Sequence, residues 1–94
     1  MSPYKLTPDS PGYRTFMDAA FCTVAFAEHG GVEVPRDVQW AFTQVATPQG
    51  IHVPYRTVRH YLRERGIETR YISGLGKDRY CVGIILRDEY ANPN

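Results

Sequence analysis

Pro54-Tyr-Arg-Thr-Val-Arg-His-Tyr-Leu-Arg-Glu-Arg65, stopped by Gly66, leads into two strand-like runs, Glu68-Thr-Arg-Tyr-Ile-Ser73 and Arg79-Tyr-Cys-Val-Gly-Ile-Ile-Leu-Arg87. Between the runs lies Gly74-Leu-Gly-Lys-Asp78, a connection with glycine freedom at two points. In the first segment Val58, Tyr61 and Leu62 recur at helical spacing, with Ile67 just past the end, so one side is built to face a core. Tyr55, Arg56, Arg59, His60 and Arg63 share the other side, because residues three, four and seven apart lie in one row along a helix. The two runs that follow are rich in strand formers, and in the second Tyr80, Val82, Ile84 and Leu86 alternate as the expected core face. The order is helix, strand, turn, strand.

Working outward from this unit, Thr47-Pro-Gln-Gly50 breaks the chain just before it. Upstream of the break, Pro35 suits the first position of a helix reaching about Ala46, with Val38, Ala41, Phe42 and Val45 turned inward. Val32-Glu-Val34 reads as a short strand. Before it, the pattern of Phe16, Met17, Ala20, Phe21, Val24 and Ala27 predicts a long helix. It would be capped by Ser10-Pro11, end near His29 and stop at Gly30-Gly31. Ala19, Cys22 and Phe26 on its other side are an apolar excess. Either Tyr4 and Leu6 fold over them, or a second subunit does, which leaves room for a homodimer through this first helix. Residues 1–10 and 91–94 read as flexible tails.

At 94 residues the chain suits a single domain, with ample hydrophobic content for a core. Taken together, the elements predict an α+β fold of three helices with a C-terminal β-hairpin wing, the order of a winged helix-turn-helix domain. Net charge is +1, but the charge is unevenly spread. Residues 54–87 carry eight cationic against three acidic side chains, or +5, whereas the first 53 residues and the last seven each come to −2. A nucleic-acid footprint would therefore sit on the helix-hairpin unit.

Leu62-Arg-Glu-Arg-Gly-Ile67, together with the hairpin ending Arg79-Tyr-Cys-Val-Gly-Ile-Ile-Leu-Arg87, resembles the C-terminal winged-helix domain of phage, plasmid and poxvirus-type primase-helicases. In that family a helix ending Leu-x-x-x-Gly precedes a wing whose second strand reads aromatic, then Gly-Ile-x-Leu. The resemblance covers about 35 residues. It implies a winged helix that binds nucleic acid, either as part of a replication protein or as a free-standing phage-, plasmid- or actinobacterial-type regulator. The Thr47 to Val53 connection is longer here than the tight turn of the simplest helix-turn-helix.

A helix entering the major groove reads base edges from its N-terminal residues while neighbouring cations hold phosphates. Tyr55, Arg56, Arg59 and His60 are the base-edge candidates, since an arginine fork can meet both guanine acceptors at once. Arg63 suits a phosphate, as do Thr57 and Gln49 from their positions. In the wing, Lys77 between Arg70 and Arg79 would lie on the backbone or in the minor groove. Double-stranded DNA is thus the expected partner. A different class of reading is a protein-interaction winged helix, an inhibitor or assembly adaptor, that uses Trp40, Phe26 and the tyrosines. A third is single-strand or RNA binding by stacking on Tyr55, Tyr71 and Tyr80.

No catalysis, cofactor or metal is expected. Gly74-Leu-Gly-Lys77 lacks the glycine spacing and the following Ser or Thr of a phosphate-binding loop. His29, His52 and His60 with Cys22 and Cys81 show no ligand spacing, and the two cysteines read as small buried hydrophobes. With no leader-like segment and no apolar run of about 18 residues, the expected location is the cytoplasm.

Overall fold

The computed structural model describes residues 3–91. The helix at the centre of the sequence argument, α3, spans Tyr55–Glu64 with Pro54 at its N-cap. Its end follows from Gly66, which adopts φ +81° and lets the chain fold back. The Ile67 N–H then donates to the Leu62 carbonyl at 2.9 Å and the Gly66 N–H to that of Arg63 at 3.0 Å, satisfying the last helical acceptors. Val58, Tyr61, Leu62 and Ile67 are buried as their spacing predicts.

Two further helices, α1 (Tyr13–Val24) and α2 (Pro35–Ala46), complete the helical layer. The predicted start and end of α2 agree with the structure; α1 is shorter at both ends. Ser10 does not cap it, because the Ser10 hydroxyl accepts the Thr7 N–H at 2.9 Å in a local turn, and Gly12 takes the cap position at φ +78°. At the other end, residues 25–29 are not helical. β2 (Ala25–Glu33) begins directly after Val24, and Ala25, Phe26 and Ala27 pair with Leu86, Ile85 and Ile84. A partner strand far along the chain has overridden a locally helical pattern.

That partner is β5 (Arg79–Leu86), the middle strand of an antiparallel sheet in the order β2-β5-β4, with β4 spanning Glu68–Tyr71. The register shifts by three residues between Ala27 and Val32, so Glu28, His29, Gly30 and Gly31 bulge opposite Gly83. The Gly31 position faces the Ile84 carbonyl so closely that a Cβ would lie 2.7 Å from it. Gly83 itself has φ +105°, and the kink reverses the inside-outside parity of β5. The buried residues are therefore Cys81, Ile84 and Leu86, while Tyr80 and Val82, expected inside, are only half-buried.

The N-terminal segment is a further correction. Residues 3–10 are not a loose tail. β1 (Tyr4–Lys5) pairs in parallel with β3 (Ile51–His52), and Leu6 is 2% exposed. The Thr47 to Val53 connection thereby gains structure of its own, as a short 3₁₀ turn followed by β3. The tails expected at residues 1–2 and 92–94 lie outside the described residues. No described helix is long and apolar enough to cross a membrane.

The core joins the two layers. Tyr61 lies at its centre, with ring centroids 6.0 Å from Phe21, 6.3 Å from Tyr13 and 6.5 Å from Phe42. The result is an α+β fold of three helices on a small antiparallel sheet, in the order β1-α1-β2-α2-β3-α3-β4-β5, with β1 and β3 forming a separate two-stranded pair.

Candidate nucleic-acid interface

α3 is held from inside by its aromatic and aliphatic row, so its outward face is fixed relative to the hairpin only two residues beyond Gly66. Of the nine residues predicted for contact, the structure brings eight to accessible positions. Arg56, His60 and Arg63 are exposed on α3, Tyr55 is exposed at its first turn, and Arg59 is half-buried between them. Arg70, Lys77 and Arg79 are exposed on the hairpin.

Thr57 is the exception. It is 2% exposed, and its hydroxyl donates to the Leu6 carbonyl at 2.9 Å. The hydroxyl is committed to pinning the N-terminal segment against α3, so Thr57 is withdrawn as a phosphate contact. Gln49, the other polar candidate, donates to the Val45 carbonyl at 3.1 Å but is exposed.

The cationic residues fall into two neighbouring rows. Arg59 and Arg63 line a cleft of about 170 Å³ with Ile67, Glu68 and Thr69, on the side of α3 that meets the hairpin. Arg59 Nε is buried there without a hydrogen-bond partner. A buried N–H left unpaired is unfavourable by about 1–3 kcal/mol. Arg56 lies on the other flank, lining a cleft of about 400 Å³ with Lys5, Thr7, Pro8, Pro54 and Thr57. Lys5 is thus an extra cation at the face. Sequence reasoning missed it because only the β1-β3 bridge, across some 46 residues, brings it there.

His60 faces the start of α1, with its ring centroid 6.3 Å from that of Tyr13 and its Nε2 3.8 Å from Glu64. Glu64 also receives Arg14 at 3.0 Å and the Tyr13 hydroxyl at 2.9 Å. Burial first, and then Glu64, pushes the Tyr13 phenol well above its ordinary range. Glu64, the acid at the end of α3, is therefore engaged by α1. The only ion pairs within 4 Å among the described residues are those of Glu64 with Arg14 and with His60. Arg56, Arg59, Arg63, Arg70, Lys77 and Arg79 form none.

Two other arginines of the basic stretch serve the scaffold. Arg65 donates from Nε to the Tyr61 hydroxyl at 2.7 Å and stacks 4.3 Å from the Phe21 centroid. Arg87 donates to the Cys22 carbonyl at 3.2 Å and lies over Phe26 at 5.5 Å. On the hairpin, Arg70 faces Tyr80 and Tyr71 faces Arg79 in register, with the Arg79 guanidinium 5.2 Å from the Tyr71 ring.

Trp40 is half-buried and packed against the core. Phe26 is partly covered by Arg87. Tyr55 and Tyr71 are exposed, but Tyr80 is half-buried and donates its hydroxyl to Leu75. The cysteine reading holds for Cys81, whose thiol burial pushes up to about 11, and fails for Cys22, which is exposed. Among the described residues there is no group of three His, Cys, Asp or Glu side chains that could hold a metal. Comparison of the chain with protein-family models, curated proteins and solved structures returned no match.

Proposed function

We propose that this protein is a winged-helix DNA-binding protein, a regulator or replication accessory, that lays α3 in the major groove and rests the β4-β5 hairpin beside it. The observation that supports this most is the set of six cations on α3 and the hairpin with no carboxylate paired to them among the described residues. Glu68 and Asp78 lie among these cations, yet neither pairs with one of them within 4 Å among the described residues. Here the one acid on α3, Glu64, is turned to Arg14 and Tyr13.

On this reading Arg56 and Tyr55 read base edges from the first turn of α3, and Arg63 and Lys5 hold phosphates on either flank. His60, drawn toward Glu64, is a lesser base reader. Arg59 reaches a phosphate from the cleft between helix and hairpin, and Arg70, Lys77 and Arg79 follow the backbone or minor groove. A second copy bound through the outer side of α1 would double the footprint.

A selection from random duplex DNA tests the reading and yields a consensus and its half-site spacing together. Affinity for the recovered duplex should fall with salt at a slope of roughly −0.9 per phosphate neutralised. Failure to enrich any sequence, or a salt-independent affinity, would count against it. A stable protein complex formed without DNA affinity would favour the adaptor role.

A further inference from the structure

The hairpin between β4 and β5 carries Leu75 near its tip, 49% exposed. A single exposed leucine is ordinary on a protein surface. What distinguishes this one is how its backbone is held. Its N–H donates to the Ile72 carbonyl at 3.1 Å, and its own carbonyl accepts the Tyr80 hydroxyl at 3.3 Å. The glycines on either side both take left-handed backbone, φ +90° at Gly74 and +91° at Gly76. Neither has a protein atom within 4 Å of where a Cβ would stand. The leucine is therefore presented on a pinned turn with open space on both sides. Around it Arg70, Lys77 and Arg79 are exposed, with Asp78 exposed between the last two.

We propose that Leu75 is a wedge that enters a base step of duplex DNA from the minor groove and bends the duplex; this rests on the reading of α3 and the hairpin as a DNA-binding unit. An apolar side chain inserted between bases leaves water, and unstacking is easiest at pyrimidine-purine steps such as TA and CA. Because the turn is already held by hydrogen bonds, little ordering is required on entry. The two bare glycines let the DNA walls close on either side of the leucine. Arg70, Lys77 and Arg79 would hold the phosphates that flank the kink. Leu75 would then contribute sequence preference without a hydrogen bond to any base.

The test runs the selection from random duplex DNA in parallel with the wild type, Leu75→Ala and Leu75→Met, and reads bending by energy transfer between dyes at the ends of each recovered duplex. The wild type should enrich a pyrimidine-purine step at a fixed distance from the α3 consensus and raise the transfer on binding. Leu75→Met should keep both. Leu75→Ala should lose both while its affinity falls by no more than about tenfold. A duplex bound but unbent by the wild type, or bent equally by Leu75→Ala, overturns the wedge and leaves the DNA-binding reading standing. If the wild type recovers no duplex at all, the DNA-binding reading falls, and the wedge with it.

Discussion

The Tyr61 hydroxyl donates to Asp18 Oδ1 at 2.5 Å and accepts from Arg65 Nε at 2.7 Å, so one buried phenol ties α3 to α1. Its ring packs with Tyr13, Phe21 and Phe42, and the Arg65 guanidinium lies 4.3 Å from the Phe21 centroid. The rotation of α3 about its axis, and with it the direction of Arg56, Arg59 and Arg63, is set by this contact. Tyr61→Phe keeps the ring and removes both hydrogen bonds. It should lower stability by about 1–3 kcal/mol in urea titration, since Asp18 and Arg65 each lose a partner.

The same phenol gives the fold an alkaline limit. Burial, followed by the hydrogen bond to Asp18, raises Tyr61 from 10.0 to about 12, and burial raises the Cys81 thiol from 9.0 to about 11. In both groups the neutral form is favoured by folding. Their contribution is therefore complete below the unfolded-state values and disappears as pH rises through the folded ones. Thermal midpoints should be unaffected by these two groups up to about pH 9 and fall between about pH 9 and 12. Tyr61→Phe should flatten the upper part of that fall.

The bulge in β2 separates two adjacent glycines by mechanism. At Gly31 a Cβ would sit 2.7 Å from the Ile84 carbonyl oxygen and 2.9 Å from Ile85 Cγ1, both in the neighbouring strand. At Gly30 it would meet nothing, and only φ +81° opposes a side chain. Gly31→Ala should therefore destabilise by about 2–3 kcal/mol and Gly30→Ala by about 1 kcal/mol, measured by chemical denaturation. Equal costs would mean that the close strand approach at Gly31 is not what shapes the bulge.

How much could be read in advance follows the range of the interactions. α3, its Gly66 stop and α2 were legible because spacing, a proline and a glycine signal them locally. The end of α1 was not, since Ala25-Phe-Ala-Glu-His29 has helical spacing and becomes a strand only because β5 offers pairing from some sixty residues away. The reversed parity of β5 follows from Gly83, which the alternation of Tyr80, Val82, Ile84 and Leu86 concealed. At the candidate interface the arginines were legible from charge and period. Burial of Thr57 and recruitment of Lys5 both depend on where the N-terminal segment docks, and no local signal announces that.

Arg59 separates stability from binding. Its Nε is buried with no acceptor, so Arg59→Met keeps the aliphatic packing and removes an unsatisfied donor. The variant should unfold at the same urea concentration as the wild type or a higher one, while its affinity for the selected duplex falls about tenfold. A large loss of stability would assign Arg59 to the scaffold.

The most direct test is titration of the selected duplex, followed by fluorescence anisotropy, with the wild type and with Arg56→Glu combined with Arg63→Glu. Both side chains are exposed and form no ion pair within 4 Å among the described residues, so the circular dichroism and melting temperature should be unchanged. Affinity should fall by a factor of about 100 or more if α3 docks on the duplex. Undiminished binding by this folded double variant would contradict that docking.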